Sequence, residues 1–147
     1  GEPWIPVNPN HEDINTETER ADPDSVLHYY RDLIALRTEY DVVVYGDYEP
    51  LFPDDDTVWA YTRTLDTDTG EERLVVALNF SSSDVAVGLP DDVRSDDATL
   101  LLGNYDAETN GDDDVEPETD PDDAVNELAA GDLRLRPWEA RVYHDAT

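Results

Sequence analysis

Thirty-eight carboxylates stand against nine basic side chains in this 147-residue chain. Carboxyl pairs are the usual tools of acid–base chemistry, and their settings decide whether they can act. An acid–base pair needs an apolar setting or a close like-charged neighbour to move its pKa. None of the carboxylates shows that in the sequence. Glu139, in Arg136-Pro137-Trp138-Glu139-Ala140-Arg141, is the best isolated candidate. Its two flanking arginines point instead to a structural ion pair. Trp59 and Tyr61 lie two apart on an alternating run, hence on one face of a strand. Such a pair can stack on a sugar ring, or can pack as core. Trp4, Asn8 and Asn10 sit in a proline-rich opening loop. They could line the rim of a site. The reading preferred is that Trp4 plugs the gap between a barrel and a helix while the two asparagine side chains satisfy loop backbone groups.

Metal and nucleophile chemistry find less support. Residues 66–70, Asp-Thr-Asp-Thr-Gly, resemble the opening of a calcium loop but lack the distal bidentate glutamate and sit where a hairpin needs a turn. The triplet at Asp112 reads as a solvated face that collects cations loosely. His11, His28 and His144 are scattered, and cysteine is absent, so neither zinc nor a disulfide is expected. There is no glycine-rich phosphate loop and no Gly-x-Ser-x-Gly elbow. No cofactor is implied.

The elements that must position these residues follow from periodicity. Three prolines in residues 1–10 predict an ordered extended loop. Residues 11–21 read as a polar connector. Asp22 is expected to cap a helix with Pro23 at its first position, running to Tyr40, with Val26, Leu27, Tyr30, Leu33 and Ile34 as its apolar stripe. Strands are expected at 42–45, 57–65, 73–80, 85–89, 99–103, 133–135 and 140–144. The second and third of these form a hairpin across residues 66–70. Short strands split by turn signals predict an antiparallel sandwich or barrel. Residues 105–132 hold 12 acidic and no basic residues. They read as an acidic surface loop, too polar to be core, with one short helix at 122–130.

Composition bounds the partners. The net charge is −29, and all nine basic residues are arginine. Aromatic and β-branched strands argue against a disordered acidic chain. A folded domain with an acidic skin and no lysine points to a salt-loving organism, where screening removes self-repulsion. Nucleic acid and anionic membranes would repel it. No apolar run approaches a membrane span, and nothing at the start resembles a signal peptide.

Several segments, in order, resemble one family. Trp4-Ile5-Pro6-Val7-Asn8-Pro9-Asn10 is similar to the Trp-x-x-Val-Asn-Pro-Asn segment near the end of the catalytic barrel in oligo-1,6-glucosidases and related α-glucosidases of glycoside hydrolase family 13. The likeness continues through residues 22–31, 33–37 and 44–48, then 60–63, 77–80, 103–105 and 135–143. The resemblance implies a mainly β fold: a C-terminal antiparallel β-sandwich domain preceded by a loop and the last helix of a (β/α)8 barrel. Residues 1–40 would close the barrel, and 41–147 would form the β-domain with its acidic loop at 105–132. That loop is longer than expected for the family and reads as a halophilic insertion.

A retaining glycosidase of this kind uses two carboxyl groups about 5 Å apart. By the resemblance these lie on barrel strands that precede this segment, so the chain is expected to be an inactive, structural part of an α-glucosidase acting on α-1,6- or α-1,4-linked gluco-oligosaccharides. Its expected partners are the rest of the barrel and, through the parent, the sugar substrate. The apolar stripe of the opening helix, left without its barrel, would favour self-association. The expected location is the cytoplasm of a high-salt organism. A stand-alone carbohydrate-binding β-module, using Trp59 and Tyr61, is the alternative.

Overall fold

The computed structural model describes residues 4–105 and 121–146, the first three positions of the last helix by backbone alone. The aspartate triplet at Asp112 and most of the expected acidic loop lie outside the described residues. Two compact units emerge, Gly1–Glu39 and Tyr40–Thr147.

In the first unit, the expected polar connector contains a helix, α1 (Thr16–Ala21). It has no apolar periodicity and buries no residue, so a pattern search passes over it. Its ends explain it. The Asn15 carboxamide oxygen accepts from the Glu17 and Thr18 amides at 3.0 and 3.1 Å, and Thr18 Oγ1 accepts from the Asn15 amide at 3.1 Å. This reciprocal box satisfies donors that a helix start leaves open. Asp22 is the C-cap of α1 and does not cap the next helix. Its carboxylate accepts from the Asp24 amide at 3.0 Å, which makes a turn of Asp22-Pro23-Asp24. The second helix, α2 (Val26–Glu39), therefore starts three residues later than Pro23. Ser25 serves as its cap, with Oγ 3.4 Å from the His28 amide. The apolar stripe is present but exposed: Val26 79%, Tyr30 62%, Ile34 51%.

The second unit begins with another departure from expectation. Residues 42–45, a β-branched run, form a short helix, α3 (Asp41–Tyr45), and not a strand. A distant side chain explains the difference. The Arg63 guanidinium donates to the carbonyls of Val42, Val44 and Gly46 at the C-terminal end of α3. A cation there complements the helix dipole and collects carbonyls that would be left open. Val42 is fully buried. Gly46 is required by close approach, since a Cβ there would lie 2.6 Å from the Val42 carbonyl oxygen.

The strands follow: β1 (Asp47–Pro50), β2 (Val58–Thr67), β3 (Gly70–Asn79), β4 (Val85–Gly88), β5 (Thr99–Gly103), β6 (Asp132–Leu135) and β7 (Ala140–Ala146). One five-stranded sheet has the order β1-β2-β3-β7-β5, and β4 pairs with β6 in a two-stranded sheet. All pairings are antiparallel. The β2–β3 hairpin closes between Thr67 and Gly70, inside the predicted turn.

The core lies between the two sheets. Val58, Ala60, Val75, Ala77 and Tyr143 come from the large sheet, and Val87, Leu133 and Leu135 from the small one. Helix α4 (Pro121–Ala130) completes it with Ala124 and Leu128, both fully buried. This corrects the reading of residues 105–132 as too polar for core: two apolar residues four apart suffice to place one helical face inside. Burying a leucine contributes about 1.5–3 kcal/mol. Gly131, at φ 77, ends α4 in a left-handed turn, its amide bonded to the Glu127 and Leu128 carbonyls. Among the described residues, no helix is long and apolar enough to cross a membrane.

Candidate functional site

Two groups of side chains in the β-unit could carry chemistry. The first is aromatic. On β2, Val58, Ala60 and Thr62 turn inward, and alternation turns Trp59 and Tyr61 to the opposite face. Their ring centroids are 5.5 Å apart. The fold adds two rings that the sequence did not single out. Tyr48 from β1 lies 5.1 Å from Tyr61, and Phe80, just past β3, lies 6.3 Å from Trp59. Trp59 Nε1 points to the Tyr48 hydroxyl at a long 3.4 Å. Tyr48, Trp59 and Phe80 are each about half exposed, at 50, 50 and 52%. The row runs Phe80, Trp59, Tyr61, Tyr48. The β1–β2 register puts Tyr48 opposite Arg63 and beside Tyr61, a relation invisible before strand pairing is known. Burial raises the Tyr61 hydroxyl above its ordinary value, and the Arg63 charge partly offsets this. The row can stack on flat ligands and hydrogen-bond at its tips. It holds no acid–base pair.

The second group is ionic. Glu139 and Arg141 are both 3% exposed. Arg141 Nε donates to Glu139 Oε1 at 2.8 Å, and its Nη1 donates to Glu127 Oε2 at 2.8 Å. Its Nη2 reaches the Arg134 carbonyl at 2.9 Å. Glu139 also accepts from the Arg136 side chain at 3.1 Å and from the Arg136 amide at 2.6 Å. Burial pushes the Glu139 carboxyl up, but the bonds from Arg141, Arg136 and the Arg136 amide outweigh it and hold it below its ordinary range. Burial alone would lower the Arg141 value, and the Glu139 bond and the Tyr143 oxygen raise it instead. Both groups stay charged, and both oxygens of Glu139 accept hydrogen bonds from within the chain. This arrangement locks the strand ends together and offers no free carboxyl for catalysis. Sequence spacing anticipated the pairing with Arg136 and Arg141. It missed Glu127, which comes from α4.

The turn before β7 is strained. Trp138 has φ 61, an uncommon conformation for a bulky residue, and the residue is 59% exposed. Its amide donates to the Ser81 carbonyl, and its carbonyl accepts from the Asn104 side chain at 2.8 Å. The Tyr105 hydroxyl bonds the Pro137 carbonyl at 2.7 Å. The turn is thus held from two sides.

Trp4, Asn8 and Asn10 belong to the first unit. Trp4 is 93% exposed. The loop is organised by the backbone carbonyls of Asn8 and Asn10, which accept from His11, Asp13 and Ile14 amides. Their side chains make no hydrogen bond among the described residues, contrary to the expected role. In residues 66–70, Thr67 Oγ1 bonds Gly70 O at 2.8 Å, as a hairpin turn does. Among the described residues, no group of three or more His, Asp or Glu side chains converges as a metal site would need.

Comparison with known proteins places these features. Residues 1–46 match the family model for the α-amylase catalytic domain. The chain is 43% identical over 143 residues to an oligo-1,6-glucosidase of Parageobacillus thermoglucosidasius, covering 97% of this chain and 22% of that protein. It is 39% identical to a trehalose-6-phosphate hydrolase of Bacillus subtilis, again over 97% of this chain and 22% of the relative. The crystal structure of Bacillus licheniformis trehalose-6-phosphate hydrolase superposes with a TM-score of 0.74 at 34% identity, covering all of this chain and 23% of that one. The chain thus spans less than a quarter of the length of these relatives. Its fold is a mainly antiparallel β-sandwich preceded by the loop and helices of the catalytic-domain match, and its homologues are oligo-1,6-glucosidases of the α-amylase family.

Proposed function

We propose that this chain is the C-terminal portion of a retaining α-glucosidase acting on α-1,6- and α-1,4-linked gluco-oligosaccharides, with a structural role. Residues 1–40 would complete the catalytic barrel, and 41–147 would form the β-domain that covers an apolar flank of it. The observation that carries this is the colinear likeness to an oligo-1,6-glucosidase over 97% of the chain, with the catalytic-domain match confined to residues 1–46. The exposed stripe of α2 fits a helix whose barrel neighbours lie elsewhere. Glu139, the best isolated carboxyl candidate, is held by Arg136 and Arg141, which supports a structural role for that residue. The test is hydrolysis of p-nitrophenyl α-glucoside in high salt. No release of p-nitrophenol is expected, and release by the chain alone would overturn the proposal.

The absence of lysine and the charge of −29 support a halophilic parent. Stability that rises from dilute buffer to molar salt is expected, and a fall would count against it. Without the barrel, the α2 stripe would favour self-association, which light scattering at several dilutions reads directly. A second reading, a carbohydrate-binding β-module, is favoured by one observation, the four-ring row on the sheet face. Titration of isomaltose or maltotriose against tryptophan fluorescence separates the two, since an unchanged signal removes the module.

A further inference from the structure

The large sheet buries side chains on both faces, and only one face belongs to the main core. Val42 of α3, Leu74 and Val76 are buried, yet none is part of the cluster between the two sheets. Register places Leu74 beside Arg63 and Val76 beside Tyr61, on the outer side of the sheet. Helix α3 packs there against β2 and β3, and the Arg63 guanidinium ties its last carbonyls to the sheet. One end of the outer face is thus covered. The other end is open and carries Tyr48, Trp59 and Phe80, each half exposed.

Charge sets this face apart from the rest of the surface. In the chain, 38 of 147 residues are acidic. Among the positions that β1, β2, β3 and β7 pair on the outer side, Glu72 is the only carboxylate. The other acids of these strands, Asp47, Glu49, Asp66, Glu71 and Asp145, project to the opposite side. A face meant for water in this chain would carry its share of the acidic skin. An exposed apolar patch without it marks an interaction surface. The rings of the row are tilted against their neighbours by 33, 42 and 44°. They offer edges and faces that interlock with apolar side chains, and no common plane for a sugar chain to lie on.

The covered end identifies the occupant. The catalytic-domain match runs to residue 46, while the β-unit begins at Tyr40. Residues 40–46, with α3 among them, belong to both. The last matched stretch of the catalytic domain is therefore already seated on this face, through Val42 and Arg63. We propose that the open end continues that contact: Tyr48, Trp59 and Phe80 are the seat of the catalytic barrel in the parent, covered by an apolar barrel surface made of residues outside this chain. The chain spans 22% of its oligo-1,6-glucosidase relative, which leaves ample chain to supply the cover. This seat rests on the α-glucosidase reading and adds to it which surface meets the barrel. It also withdraws Trp59 and Tyr61 from sugar binding.

The test compares the isolated chain with a chimera in which it replaces the matching 143 residues of the Parageobacillus thermoglucosidasius oligo-1,6-glucosidase. Hydroxyl-radical footprinting, read by mass spectrometry, reports the oxidation of Trp59 and Phe80 in each. In a chimera that hydrolyses p-nitrophenyl α-glucoside, both residues are expected to lose most of the labelling they show in the isolated chain. Trp59→Glu should leave the unfolding midpoint of the isolated chain nearly unchanged and lower that of the chimera, where the new charge would be buried without a partner. Should Trp59→Glu not fold, Phe80→Glu gives the same reading. An active chimera with Trp59 labelled as in the isolated chain would overturn the docking face and leave the α-glucosidase reading intact. A chimera without hydrolysis would remove that reading and the seat with it. Protection of Trp59 by isomaltose in the isolated chain would overturn the seat in favour of a sugar-binding module.

Discussion

The two units hold themselves together by different means. In Gly1–Glu39, helices α1 and α2 bury no residue of their own, and caps and turns define them. In Tyr40–Thr147, thirteen buried residues form a continuous cluster between two sheets and α4. Short helices without an apolar contact are marginal in water, because nucleation costs more than a few backbone bonds return. A packed core carries most of the stability of a domain of this size. The comparison teaches that local caps and turns are enough to define helices in the first unit, while the second adds a packed core to its local signals.

The largest effect expected is from Arg141→Met. It leaves Glu139 buried at 3% exposure with a principal partner removed, and also frees Glu127. Breaking a buried pair from one side costs about 3–5 kcal/mol. Urea unfolding monitored by circular dichroism in molar salt checks this. A loss below about 1 kcal/mol would mean that water reaches the site and that the core is less closed than described. Leu128→Ala should follow at about 2–5 kcal/mol, because the leucine is fully buried. Its counterpart, Ile34→Ala on α2, should change stability by no more than about 0.5 kcal/mol in this chain. If the two losses were equal, the contrast between the units would be gone.

The pH dependence sharpens the comparison further. The Glu139 carboxyl is held below its ordinary value of 4.5, so the folded form binds its proton less tightly than the unfolded form. Its stabilisation is complete above that ordinary value and is lost as pH falls through the depressed folded value. Acid also relieves the self-repulsion of a chain at −29, which acts in the opposite direction. Salt separates them, since repulsion is screened while a buried pair is not. In molar salt, acid should destabilise the β-unit, and Glu139→Gln should flatten that dependence. Asn15→Ala should remove about 1 kcal/mol of helix stability within the first unit, seen as lost helicity of α1 and not as a change in the unfolding of the β-unit.

Much of the β-unit was legible because its signals are local. Residues 57–65 and 73–80 alternate or run apolar, and 66–70 spells a turn, so the hairpin follows from period and breaker alone. The ion pairing of Glu139 was legible for the same reason, as its two arginines are three and two residues away. The misreadings share the opposite cause. Residues 42–45 have strand propensity, and Arg63, twenty-one positions after Val42, stabilises a helix there. The short helix expected at 122–130 is α4, but the acidic composition hid its contribution to the core, which rests on Ala124 and Leu128. Helix α1 escaped because a capping box, not periodicity, defines it.

Sequence by itself determined the acidic surface, the antiparallel β class, the hairpin, the ordered likeness to α-glucosidases and the same-face placement of Trp59 and Tyr61. These depend on composition, on a period of two, or on neighbours a few residues apart. Only the tertiary structure decided which rings join that pair, which α4 carboxylate meets Arg141, and that α3 and the aromatic row share one sheet face. Each of those depends on strand register and on helix docking, and a register moved by one residue would turn every one of these side chains to the other face.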